Sequence, residues 1–158
     1  MILYDPNFRR SQLPHLEKLK TMIQENIGCS SIVRASDEDM KLIFDCNNFE
    51  EACDVVNKSG CRFLIYTSSS RSVFLKTPLF SKQYPVPELK TVSTIGAGDS
   101  FNAGIVFTLY SKSISTLEDL SEELWDDIIE NAIGFASDVC MSNENYISNT
   151  FASGLKKI

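Results

Sequence analysis

TVSTIGAGDSFNAG, residues Thr91–Gly104, is the stretch on which the reading of the whole chain turns. Two glycines, Gly96 and Gly98, bracket Ala97; an acid follows at Asp99, and good helix material comes next. Glycines just before a helix let a ligand approach the backbone closely and permit positive φ. The first amides of a helix have no partner within it and point outward, where they favour anions. The segment Gly96, Ala97, Gly98 and Asp99 is therefore a candidate catalytic element. The N–H groups of Ala97, Gly98 and Asp99 are expected to form an anion hole for a γ-phosphoryl group in transfer. Asp99 is expected beside that hole, accepting the proton of an attacking hydroxyl. Phosphoryl transfer asks a protein for positioning and charge stabilisation, and a general base adds about 10²–10⁴-fold. The same spacing also describes a structural glycine turn followed by an aspartate cap, and spacing alone does not separate the two. The loop is neither a Walker A sequence nor a G-x-G-x-x-G turn, since neither pattern occurs in the chain.

Upstream of this stretch, strand and helix signals alternate. Residues 2–4 read as a short strand that ends at Asp5-Pro6-Asn7. A helix is expected over 11–27, with Ser11 as cap, Leu16, Leu19, Ile23 and Ile27 on one face, and Gly28 as its stop. Residues 30–35 read as a second strand, and Ser36-Asp-Glu-Asp39 opens a short helix to about Phe44. A further helix covers about 49–59, a third strand 62–67, and a hairpin partner 72–77. The connection from Pro78 to Pro87 contains another short extended piece. Downstream, one helix over about 98–111 is apolar nearly all round, so burial on several sides is expected. A second, over about 121–141, has a clean apolar face through Leu124, Ile128, Ala132, Phe135 and Val139.

Strand–helix alternation means parallel strands with helices on their faces. Ligands in such sheets bind beyond the carboxyl ends of the strands. Asp5, Asn7 and Arg9 follow strand one, Ser36 to Asp39 follow strand two, and Thr67 to Ser70 follow strand three. Three polar clusters on one edge mark a site. No repeat or linker interrupts the chain, so a single domain is expected.

Composition narrows the class. The chain has 158 residues, 43% hydrophobic and 23% charged, enough for a real core. Its net charge of −6 argues against a general nucleic-acid binder. No apolar run approaches the ~18–20 residues that cross a bilayer, and the start, MILYDPNFRR, does not read as a signal peptide. A cytoplasmic protein with neither nucleic acid nor membrane among its partners is expected. Five cysteines without a C-x-x-C pair read as reduced thiols. His15, the single histidine, reads as a surface residue, so histidine-based triad chemistry has almost no material.

The segment Ser93–Gly104 resembles the C-terminal signature of the pfkB, or ribokinase-like, carbohydrate kinases, D-T-x-G-A-G-D-x-F-x-x-G, with Ser93 at its first position. Asp5-Pro-Asn-Phe-Arg9 is similar to the family's D-P-N-x-R, and Val33–Asp39 to the segment carrying its N-x-x-E motif, with Ser36 and Asp39 at the motif positions. Ile65–Ser72 stands where the family has T-x-G-x-x-G, with Ser69 and Ser72 in place of glycines, and Asn131-Ala132 falls where the last helix faces the adenine. The resemblance implies a Rossmann-like three-layer α/β/α sandwich of mostly parallel strands with a late antiparallel hairpin. It implies ATP and Mg2+ as cofactors and a small-molecule sugar, phosphorylated on a hydroxymethyl group in the manner of a fructokinase. Asp39 would help to hold magnesium-bound water. Thr67, Ser69 and Asn131 would line the nucleotide, with Ser36, Asn7 and Arg9 near the phosphates or substrate. Residues 1–158 match the second half of the family's chain, the part with the ATP site and the base. The N-terminal half and the lid are expected to be absent, and a homodimer is compatible with the full-length enzyme. The alternative reading is an inactive remnant that binds nucleotide or a protein partner.

Overall fold

The computed structural model describes residues 1–68 and 72–155. It divides the chain into two compact units, Met1–Val86 and Pro87–Ile158.

The first unit is an open five-stranded sheet in sequence order, β1 (Leu3–Tyr4), β2 (Ile32–Ser36), β3 (Leu64–Ser68), β4 (Ser72–Lys76) and β5 (Ser81–Pro85). β1–β2 and β2–β3 pair in parallel, with Tyr4 opposite Val33 and Ser36 opposite Thr67. β3–β4 and β4–β5 are antiparallel. The expected hairpin thus grows by one strand into a meander, because the extended piece before Pro87 joins the sheet. Thr77 makes that last turn: its N–H donates to the Phe80 carbonyl, and its hydroxyl oxygen accepts from the N–H groups of Leu79 and Phe80.

Three helices cover one face of this sheet: α1 (Leu16–Gly28), α2 (Asp37–Phe44) and α3 (Phe49–Lys58). Ile23 and Ile27 of α1, Met40 and Ile43 of α2, and Ala52 and Val56 of α3 share one buried cluster with Val33, Ala35, Leu64 and Tyr66 of the strands. The alternate strand residues Ile32, Ile65, Val73 and Leu75 point to the other face and are also buried, the two-sided pattern of a strand inside a layered fold. The first helix does not begin at Ser11. Residues Arg10–His15 form a 3-10 turn containing Pro14, and α1 starts only at Leu16. Proline lacks the N–H that an α-helix interior needs and disfavours helical geometry at Leu13, so the tighter turn wins.

The second unit is built on α4 (Ala97–Ser111), α5 (Glu122–Cys140) and α6 (Asn149–Gly154). Phe101, Ile105, Leu109, Trp125, Ile128, Ile129, Ala132, Phe135 and Val139 are among its buried positions, with Trp125 only 1% exposed. Phe135 packs between Phe107 and Phe151, at ring separations of 5.5 and 5.3 Å. The two long helices approach closely where Gly104 faces Ala132: a Cβ added at Gly104 would lie 2.6 Å from the Ala132 Cα. α4 is buried along Phe101, Ile105 and Leu109 and open on one side. Val106 and Tyr110, four residues apart and therefore on one stripe, are exposed, Tyr110 by 73%.

Candidate active site

The residues singled out in the sequence fall into two groups, one in each unit. Ser69 lies outside the described residues. Asn7, Arg9, Ser36, Asp39 and Thr67 belong to the sheet unit, and the carboxyl ends of β1, β2 and β3 bring their backbones to one edge, as expected.

Hydrogen bonds bind that edge tightly. Asn7 takes a left-handed conformation, φ 41°, and its N–H donates to Asp5 Oδ1 at 3.1 Å. Asparagine tolerates this region better than most residues, and the aspartate closes a local turn. Ser36 caps α2: its hydroxyl oxygen accepts the Asp39 N–H at 3.0 Å and its hydroxyl donates to Asp39 Oδ2. Asp39, 6% exposed, also accepts the Ser36 N–H on Oδ2 at 3.1 Å and the Phe8 N–H on Oδ1 at 2.8 Å. One carboxylate thus closes the helix cap and holds the loop after β1 against it. Ser68 reaches Asp37 Oδ2 at 3.3 Å, and Arg10 pairs with Glu38 at 3.2 Å on the exposed side. Arg9 is exposed; its N–H donates to Gln12 Oε1, and its guanidinium has no ion-pair partner among the described residues. Beside this edge a groove of about 470 Å³ is lined by Arg10, Asp37, Glu38, Lys41, Asn47 and Tyr66, among others.

Arg34 was not singled out in the sequence, yet it ties the three parallel strands together. Its Nη1 donates to Asp5 Oδ2 at 3.0 Å and its Nη2 to Thr67 Oγ1 at 2.8 Å. The available signal was a charged residue in the middle of an otherwise apolar strand, IVRA. Ser72, which stands where the resemblance has glycine, lies in extended β4 opposite Pro85, and its φ is not among the positive ones; serine is not strained there.

In the helical unit the glycine turn has the geometry its residue types require. Gly96 is the residue before α4 and has φ 81°, ψ −2°, a left-handed conformation that favours glycine. A Cβ there would also meet Asn145 at 3.1 Å. The segment leading in is held from behind: the N–H groups of Val92 and Ser93 both donate to the Cys140 carbonyl at the end of α5. The Ser93 hydroxyl accepts the Ile95 N–H at 3.2 Å, a local turn that the aspartate of the pattern could make equally well. Of the three amides expected in the anion hole, that of Ala97 is already engaged, donating to the Thr94 carbonyl at 3.2 Å. The turn that delivers the chain into α4 has claimed it. The N–H groups of Gly98 and Asp99 have no hydrogen-bond partner among the described residues. Asp99 sits in the first turn of α4, its side chain exposed and without a recorded partner. Asn131 is half-buried on α5, next to the Gly104–Ala132 contact.

A family model described as pfkB family carbohydrate kinase matches residues 2–132, a span that includes D-P-N-x-R, the α2 cap and the glycine turn. The chain belongs to the pfkB carbohydrate kinase family. Among curated members, aminoimidazole riboside kinase of Salmonella typhimurium is 25% identical over 108 residues, 68% of this chain and 34% of that protein. Fructokinase-2 of Solanum lycopersicum is 27% identical over 120 residues, 75% of this chain and 36% of that protein. The crystal structure of aminoimidazole riboside kinase from Salmonella enterica, complexed with aminoimidazole riboside and an ATP analog, superposes with a TM-score of 0.80 at 20% identity. It covers 96% of this chain and 50% of that one, and it shares the ribokinase-like α/β fold. The chain thus spans about a third of the length of the curated pfkB relatives it matches and half of that solved structure.

The remaining titratable features are structural. Burial raises the thiols of Cys46, Cys61 and Cys140, and pushes Cys53 up to about 11, which keeps them protonated at neutral pH. Lys112 pairs with Asp127 at 2.6 Å on the exposed side of α5, as a solvated helix face would. Among the described residues no group of three His, Cys, Asp or Glu forms a metal cluster, and no helix is long and apolar enough to cross a membrane.

Proposed function

We propose that this chain is the nucleotide-and-base part of a pfkB-type sugar kinase, which transfers the γ-phosphoryl group of ATP to a sugar hydroxymethyl group. One observation carries the reading: an exposed carboxylate, Asp99, stands beside two unengaged amides at the mouth of a long helix. The amides of Gly98 and Asp99 stabilise charge on the migrating phosphoryl oxygens, aided by the partial positive charge of the α4 N-terminus. Asp99 accepts the proton of the sugar hydroxyl as the oxygen attacks phosphorus. Gly96 gives that arrangement its backbone, because an L-residue at φ 81° would strain the turn. Thr67, Ser36 and Asn131 contact the nucleotide, while Asn7 shapes, and Arg9 charges, the loop after β1.

Magnesium, which phosphoryl transfer uses to neutralise phosphate charge, fits at Asp39 only in part. A carboxylate has about four lone-pair positions. Three are taken by Phe8 and Ser36 donors, so Asp39 retains room for one further donor, such as a metal-bound water. That same saturation favours a second reading, a nucleotide-binding protein without turnover. Two measurements separate them: ADP binding by calorimetry, and ATP consumption against a panel of ketoses, aldoses and nucleosides. Sugar-dependent ATP consumption supports the kinase. Binding without turnover supports the second reading, and a folded chain that binds no ADP contradicts both.

A further inference from the structure

Arg34 does more than hold strands together. Its side chain is only 13% exposed, and the fork of its guanidinium engages Asp5 and Thr67 at once. A guanidinium carries donors and no acceptor. In the 2.8 Å contact with Nη2, Thr67 Oγ1 is therefore the acceptor, and its own hydrogen has to point elsewhere. No acceptor for that hydrogen is recorded among the described residues. Thr67 lies near the carboxyl end of β3, the edge at which such sheets bind ligands. Asp5, 16% exposed, balances the arginine charge, so what remains at Thr67 is direction more than net charge.

We propose that Arg34 is a positioning residue for nucleotide binding: it fixes the Thr67 hydroxyl as a donor, aimed at an acceptor-rich group of the phosphate-oxygen class. This inference rests on the reading above that Thr67 contacts the nucleotide. Donation by a charged group polarises the Thr67 hydroxyl and strengthens the bond it makes in turn. A lysine at this place keeps the charge opposite Asp5 but has no planar fork with which to hold both partners.

The test is calorimetric titration of ADP into the 158-residue chain as wild type, Thr67→Val, Thr67→Ser, Arg34→Lys and the Arg34→Lys/Thr67→Val double variant, with melting temperatures alongside. Thr67→Val is expected to weaken ADP binding on the order of 10-fold, the loss of one hydrogen bond to a charged group. Thr67→Ser restores it, Arg34→Lys weakens it comparably, and the double variant is no weaker than Thr67→Val. Should Arg34→Lys fail to fold, the uncharged pair Asp5→Asn/Arg34→Gln takes its place. A glutamine oxygen can accept from Thr67 and reverse the hydroxyl, so the same loss is expected. Wild-type binding of ADP with Arg34→Lys indifferent, or losses that multiply in the double variant, overturns this inference alone. A folded wild type that binds no ADP overturns the nucleotide reading and this inference with it.

Discussion

The two units treat their polar groups in opposite ways. At the sheet edge the charged groups after β1 and β2 hold one another and the backbone: Asp39 serves Phe8 and Ser36, Arg34 serves Asp5 and Thr67, and Glu38 pairs with Arg10. At the mouth of α4 the reverse holds, and the Gly98 and Asp99 amides and the Asp99 carboxylate have no recorded partner among the described residues. Both patterns grow from helix N-termini. α2 begins with a side-chain cap, Ser36, whose hydroxyl oxygen accepts the Asp39 N–H, while Asp37 takes the Glu38 N–H. α4 begins with a glycine, which has no side chain to offer, and so leaves the Gly98 and Asp99 amides open. The choice of cap separates a helix end closed by its own side chain from one whose first amides stay open.

Substitutions can break this contrast by attacking either side. The largest effect is expected at the α4–α5 contact that sets the helix mouth in place. Gly104→Val puts its first carbon 2.6 Å from a backbone atom, which no side-chain adjustment relieves. Overpacking costs typically ~1–3 kcal/mol, and a backbone clash belongs at or above the top of that range; thermal unfolding measures it. Next comes Asp39→Ala, which leaves the buried Phe8 N–H without its acceptor and opens the α2 cap. About 2–3 kcal/mol of stability should be lost, read by denaturant unfolding. Gly96→Ala should cost about 1–2 kcal/mol for positive φ, with further crowding against Asn145. Its phosphoryl-transfer rate should fall further than its stability does, because the turn aims the open amides.

How much of this was legible in the sequence follows from which interactions are local. The Ser36 cap, the helix ends near Phe44 and Gly28, and the left-handed Gly96 are set by neighbours a few residues away, and residue type announces them. The Ser11 start failed because Pro14, also local, outweighed a plausible cap. Arg34 was illegible because its partners lie 29 and 33 residues away, and only strand register brings them together. The exposed stripe of Val106 and Tyr110 was hidden for a similar reason: apolar residues on every side of a helix do not say which side meets its neighbours. The engagement of the Ala97 amide depends on how the turn brings the Thr94 carbonyl within reach, and composition does not decide it.

The smallest expected effect lies at high pH. Burial lifts the Cys53 thiol from 9.0 to about 11. A folded-state value above the unfolded one gives stability that is complete below about pH 9 and is lost as pH rises toward 11. The melting temperature should therefore decline across that window, and Cys53→Ser should flatten the decline.

The central claim is that Asp99 removes a proton beside amides that hold the moving phosphoryl group. Steady-state phosphorylation of the best sugar, wild type against Asp99→Asn, tests it most directly. The account predicts a fall in kcat of about 10²–10⁴-fold, with ADP affinity and melting temperature unchanged. Equal turnover by the asparagine variant would contradict it.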